Sequence, residues 1–431
     1  MQSNQLSSTP VSNSVRRREI RTLMLASLGS ALEFYDFVVF VFFIGILGDL
    51  FFPPELPEWL RQLQTFGIFA AGYIARPLGG ILMAHFGDRH GRKRIFTLSV
   101  LLMALPTLAI ALLPTYRSIG IAAPLLLLSM RLLQGVAIGG EAPGAWVFVA
   151  EHAPRGRAGL AIGLLTSGLT FGILLGSLVA TGLNLAFNQA QITGTYWRVP
   201  FFLGGVLGIG AMLLRRWLSE TPVFEEMRTR LATSRELPLR SVLTHHKVAV
   251  LASMLASWML TATIVVVILI SPALLQKIFA IPPTAVQLSN LAGTATLCLS
   301  VLMVGMAADR FGIRRVAVPM LLSLIVATYA LYLGAAKTPS ALLPLYVFAG
   351  FGAGSAVLAP LFMVNAFPPE VRFSGVSFSY NVIYAVLGGI TPPAALWLAH
   401  VNPIGPAHYV AVAAVAGLAA IWLGSGRGEN P

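Results

Sequence analysis

The sequence predicts an all-α integral membrane protein, with twelve transmembrane helices arranged as two pseudo-symmetric six-helix halves. Three observations predict it. The chain has 431 residues, of which 56 % are hydrophobic and only 10 % charged, against about 25 % charged in an average soluble domain. Its apolar stretches recur at the length of about 20 residues that crosses a bilayer. A short motif in a loop of the first half returns at the equivalent loop of the second. This composition excludes a soluble enzyme, a disordered chain and a nucleic-acid binder, because the basic residues behind the +13 net charge sit at the ends of apolar spans. The single cysteine, Cys298, excludes a disulfide framework and a cysteine-based metal site. No cofactor is expected.

The elements follow in order. Residues 1–21 read as a polar tail ending in Arg16, Arg17, Arg18 and Arg21, and the apolar run behind them is too long for a signal peptide. Spans at 22–47, 59–84, 95–114, 120–149, 158–186 and 199–218 make a first half, 22–218. The longest polar stretch, 219–246, is a central loop, read as an amphipathic segment on the membrane surface. Spans at 247–276, 286–308, 314–336, 340–366, 374–399 and 406–424 make the second half, 247–424, and 425–431 is a tail. Twenty-two Lys and Arg fall on the side of the tails and five on the other, leaving only Arg76 and Arg131 inside spans. The positive-inside rule therefore predicts cytoplasmic termini. An error of one span would scramble that bias.

The loop after span 2 reads Gly87-Asp88-Arg89-His90-Gly91-Arg92-Lys93-Arg94, and the loop after span 8 reads Ala308-Asp309-Arg310-Phe311-Gly312-Ile313-Arg314-Arg315. In both, a Gly permits a tight turn, an Asp is free to cap a helix start or pair with Arg, and basic residues anchor at the headgroups. Asp88, Arg89, Gly91, Arg92, Asp309 and Arg310, with Arg76 just before the first loop, form a candidate gating motif. Matched halves are a signature of secondary transporters.

Further pieces stand in order: Glu33-Phe34-Tyr35-Asp36-Phe37, Arg76-Pro77-Leu78-Gly79-Gly80, Arg131-Leu132-Leu133-Gln134-Gly135, Gly139-Gly140-Glu141, Trp197-Arg198-Val199-Pro200-Phe201, Glu220-Thr221-Pro222, and Tyr380-Asn381 before Gly388-Gly389. With the two loops they make the chain resemble the major facilitator superfamily and, within it, the metabolite:H+ symporter family, over essentially its whole length. The resemblance implies the major facilitator fold, alternating access, a bacterial inner membrane and a substrate among shikimate, α-ketoglutarate, citrate and related carboxylates, or proline and betaine. Where that family commonly has an aromatic after Gly140-Glu141, this chain has Ala142-Pro143.

A charge at the bilayer centre costs about 2.5–3.5 kcal/mol on insertion scales, so intramembrane ionisable residues are functional candidates. Five stand out: Glu33, Asp36, Arg76, Arg131 and Glu141, all in the first half. Twelve residues separate Arg21 from Glu33, roughly 18 Å along a helix, which is near the midplane. Three carboxylates face two guanidiniums, so one lacks a fixed counterion, the property required of a proton carrier. Asp36, Glu33 and Glu141 are therefore the candidates for proton coupling. Arg131 is the candidate for an anionic substrate, because a guanidinium matches a carboxylate bidentately. Arg131, Gln134 and Glu141 share a helix face, and such a polar stripe is expected to face a cavity. Ser377, Tyr380, Asn381 and Tyr384 share one face of span 11, at i, i+3, i+4 and i+7. Tyr380, Asn381 and Tyr384, with Gln134 and Trp258, complete the expected substrate site, and Asn365 is a further possibility. The recurrent glycines of span 5, from Gly159 to Gly176, read as packing.

The expectation is a proton-coupled symporter that imports a small organic acid or related metabolite, working as a monomer with the bilayer, the substrate and H+ as its partners. A proton-driven exporter is the alternative. No HExxH, Gly-x-Ser-x-Gly or Cys/His cluster argues for an enzyme.

Overall fold

The computed structural model describes residues 13–90, 92–154, 156–215 and 238–424; at 13–22, 25, 32, 33, 37, 84, 85, 87–90, 92–96, 214, 215, 238 and 339 it describes the backbone alone. The described residues hold helices and no strand. Among them, nine helices are long and apolar enough to cross a membrane. Two bent pairs and the shorter apolar helix Thr97–Leu112 bring the crossings to twelve.

The first six are α1 (Asn13–Phe42, continued by Ile44–Phe51), α2 (Glu58–His90), α3 (Arg92–Leu112), α4 (Ala122–His152), α5 (Ala158–Ala186) and α6 (Arg198–Arg215). The second six are α7 (Lys247–Phe279), α8 (Pro283–Phe311), α9 (Ile313–Lys337), α10 (Leu342–Ala366), α11 (Arg372–Val401) and α12 (Gly405–Gly424). Prolines sit inside several, such as Pro77 in α2 and Pro143 in α4, as membrane helices tolerate when neighbours satisfy the freed carbonyls. The sixth crossing starts earlier than the sequence predicts. Asn188 and Gln191 form a capping box that starts a short helix, and Gln189–Tyr196 meets Arg198–Leu213 at a 45° bend. In the expected central loop, Pro238–His245 is helical, with Val242 buried and Arg240 and Leu243 exposed; residues 216–237 lie outside the described residues.

The outer surface is apolar. Leu185, Ile74 and Leu299 are each more than half exposed, which suits lipid and would be an association hazard in water. The two halves meet along two seams, α5 against α8 and α2 against α11. Small residues bring the backbones of the first seam together: Gly159 lies against Gly305 and Gly163 against Val301. Gly168 and Gly172 fit α5 against Ser27 and Ala31 of α1 in the same way.

Two helices of the second half change winding midway. In α7 the stretch Thr263–Ile270 forms wide π turns, and Ser271 Oγ donates to the Val266 carbonyl at 2.7 Å. In α10 the stretch Gly354–Val357 tightens to a 3-10 turn. Both interruptions fall where these helices reach the interior between the halves.

Candidate functional site

A small cavity of about 30 Å3 lies between the halves. The first half contributes Phe34 of α1, Ala142 and Trp146 of α4, and Thr166, Leu169, Thr170 and Ile173 of α5. The second contributes Leu260 and Ile264 of α7, Ala356 of α10, and Tyr380 and Tyr384 of α11. Ile264 and Ala356 come from the two rewound stretches. Ala142 stands where the resembled family commonly carries an aromatic ring, so its small side chain leaves space here. Trp146 meets Tyr380 edge to face, with ring centroids 5.0 Å apart. The indole Nε1 of Trp146 and the hydroxyl of Thr166 are buried and have no hydrogen-bond partner.

Of the residues expected at a substrate site, Tyr380 and Tyr384 line this cavity. Asn381 and Ser377 do not; they pin α11 to the first half. Asn381 Nδ2 donates to the Gly139 carbonyl of α4 at 2.6 Å, and Ser377 Oγ to the Gly80 carbonyl of α2 at 3.0 Å. Trp258 points elsewhere, donating from Nε1 to the Tyr409 hydroxyl at 3.1 Å inside the second half. Asn365 is exposed at the end of α10 and bonds to the Leu361 carbonyl.

Arg131 and Gln134 do not reach the cavity wall either. Arg131 is fully buried, with its guanidinium carbon 4.2 Å from the Phe40 ring centroid and 4.9 Å from that of Phe69. It donates to Gln134 Oε1 at 2.9 Å, and Gln134 Nε2 donates to Thr107 Oγ1 of α3 at 2.7 Å. Ser99, also on α3, donates to Glu141. The polar stripe of α4 therefore faces α3 inside the first half, which corrects the expectation of a cavity-facing stripe. Its periodicity fixed a shared face, and an adjacent polar helix, rather than an open cavity, covers that face.

Asp36 belongs to the same interior. Its carboxyl group is buried and both oxygens lack a hydrogen-bond partner. It is pressed against Gly204 and Gly208 of α6, and a methyl group added at Gly204 would collide with Oδ1. The neighbouring Thr107 hydroxyl spends its own proton on the Met103 carbonyl at 3.0 Å. The side chain of Glu33 lies outside the described residues.

Arg76 stands at the α2–α11 seam, 1 % exposed. Its guanidinium carbon is 4.3 Å from the Tyr384 ring centroid, 5.1 Å from Tyr380 and 5.5 Å from Tyr73. It donates to the Tyr380 hydroxyl at 3.2 Å. Arg76 lies twelve residues before Asp88, about 18 Å along the helix, so it is not part of the loop with which sequence proximity grouped it.

One copy of the repeated loop is described. Gly312, at φ +85°, turns α8 into α9, as a residue without a Cβ does readily. The Asp309 carboxylate accepts from the backbone N–H groups of Gly159 and Leu160, at 2.6 and 2.7 Å, and so caps the start of α5 across the seam. Nearby, Arg372 of α11 pairs with Glu151 of α4 at 3.2 Å. The halves are thus latched at this end. The Arg310 guanidinium folds over the Phe311 ring. The side chains of Asp88, Arg89 and Arg92, and Gly91 altogether, lie outside the described residues.

Comparison with known proteins agrees with this architecture. The sequence profile of the "Sugar (and other) transporter" family matches residues 22–238, half of the chain. The chain belongs to that family of the major facilitator superfamily. The proline/betaine transporter of Escherichia coli K12 is 30 % identical over 417 residues, covering 92 % of this chain and 82 % of that one. Among solved structures, the proton:xylose symporter XylE of E. coli, bound to 6-bromo-6-deoxy-D-glucose, superposes with a TM-score of 0.79 at 16 % identity, covering 94 % of this chain and 95 % of the other. The human organic anion transporter MFSD10 superposes with a TM-score of 0.65 at 15 % identity, covering 94 % and 99 %. This family member is a multi-pass membrane transporter and not an enzyme.

Sequence reasoning missed Phe34, Trp146, Thr166 and Thr170 at the cavity. Phe34 and Trp146 are aromatic and could serve equally as packing. Thr166 and Thr170 are four residues apart, so they share a face of α5; that pair was the available signal.

Proposed function

We propose that the chain is a proton-coupled symporter that imports a small carboxylate-bearing metabolite, either an organic acid or a zwitterion, by alternating access of halves 22–218 and 247–424. The observation that carries this reading is Asp36. A carboxylate buried without a hydrogen-bond donor is expensive, and binding a proton is the cheap alternative. A group in that position takes up and releases H+ as the surrounding helices open and close. The proline/betaine and proton:xylose transporters among the similar proteins support both the zwitterion and the coupling. The charge bias supports cytoplasmic termini in a bacterial inner membrane, with the end latched by Asp309 facing the cytoplasm.

The test is uptake into proteoliposomes under an imposed inward proton gradient, with and without a protonophore. The compounds are proline, glycine betaine, succinate, α-ketoglutarate, citrate and shikimate, and protein-free liposomes control for leakage. Gradient-dependent accumulation of a carboxylate-bearing compound is expected, and the protonophore should abolish it. Loss of preloaded compound on applying the gradient would instead mean an exporter.

A further inference from the structure

We propose that Arg76, and not Arg131, receives the carboxylate of the substrate, and that Tyr380 holds the guanidinium in place until the substrate arrives. This rests on the reading of the chain as a carrier of carboxylate-bearing solutes. Arg76 is almost completely buried and has no carboxylate partner among the described residues. An arginine does not shed its charge at any working pH, and a buried charge without a counterion is strongly unfavourable. The three tyrosine faces and one hydroxyl around it replace only part of the lost hydration. Among the described residues none supplies the missing negative charge, and the carboxylate of a substrate would supply it.

The route for it is on the page. Tyr384 and Tyr380, the two rings nearest the guanidinium, are also the tyrosines that line the cavity. Arg76 is therefore one side chain away from the cavity. A carboxylate entering there competes with the Tyr380 hydroxyl for the guanidinium N–H groups, and it offers the fork geometry a phenol lacks. Arg76 belongs to α2 and the tyrosines to α11, so this exchange of partners acts directly on a seam between the halves. Arg131, by contrast, is enclosed by Phe40, Phe69 and Gln134 inside the first half, and it does not line the cavity.

The test measures apparent affinity in counterflow, which needs no proton gradient, for pairs in which the amide replaces the only carboxylate: proline against prolinamide, and shikimate against shikimamide. The unaltered protein should prefer the carboxylate of its pair by at least about tenfold, since a site built for a polar group rejects the analogue lacking it. In Arg76→Gln that ratio should fall to about one, while Arg131→Gln retains it; a ratio does not depend on how much protein is active. Tyr380→Phe keeps the ring and removes the competing hydroxyl. It should raise affinity for the carboxylate about threefold, the worth of one hydrogen bond, and leave the amide unmoved. The proposal is overturned if the ratio survives Arg76→Gln, if it collapses in Arg131→Gln alone, or if Tyr380→Phe weakens both compounds equally. Should Arg76→Gln not fold, the Tyr380→Phe result decides. Transport confined to compounds without a carboxylate would overturn the underlying reading as well; an unchanged ratio with carboxylate transport intact overturns this proposal alone.

Discussion

Inside the first half, Arg131, Gln134 and Thr107 are joined by hydrogen bonds at 2.9 and 2.7 Å, and Asp36 lies beside them without a bond of its own. At the α2–α11 seam, Arg76 sits among three tyrosine rings and a single hydroxyl. Both regions bury charge, but the first is enclosed within one half while the second spans the two halves beside a cavity. A group enclosed in one half suits a small ion that needs no cavity. A group at the seam suits a solute whose capture must alter how the halves meet. Under the proposed function, the difference gives proton and substrate separate addresses, coupled through the packing of α1, α4 and α11.

The largest effect that sharpens this contrast is expected at Gly204. Gly204→Val puts side-chain atoms where Asp36 Oδ1 lies, and overpacking of this kind costs about 1–3 kcal/mol. The variant should melt at lower temperature in detergent and lose gradient-driven accumulation, although Gly204 is not among the cavity-lining residues. Unchanged melting and accumulation would show that Asp36 has room it does not show here.

A smaller effect is expected at the latch. Asp309→Ala removes the acceptor for two N–H groups at the start of α5, which is worth about 1 kcal/mol. Cys298, buried at the same seam and accepting from Thr170 at 3.3 Å, reports on it. Its alkylation by a membrane-permeant maleimide should quicken about fivefold, as a shift of that size dictates. An unchanged rate would mean that Asp309 does not hold the halves together.

The fold was legible in the sequence to the level of helix class and approximate span number, because bilayer thickness sets helix length. The site was legible only in part. Tyr380 and Tyr384 were found because two polar aromatics repeat on one face of α11. Gln134 and Glu141 were correctly placed on one face of α4, but periodicity does not say which neighbour covers a face, and here it is α3 through Thr107 and Ser99. Arg76 was grouped with the Asp88 loop by linear adjacency, which ignores the helical rise between them. Trp146 and Thr166 stayed hidden because, in spans that are apolar on every side, hydropathy carries no information about which face meets the cavity.

The most direct measurement of the separation between proton and substrate sites is a paired assay on Asp36→Asn in proteoliposomes, comparing gradient-driven accumulation with counterflow of the same compound. The amide keeps the shape of the carboxyl and cannot exchange a proton. Accumulation should fall to the protein-free background while counterflow continues at a rate near that of the unaltered protein. Accumulation that persists in Asp36→Asn would contradict the account.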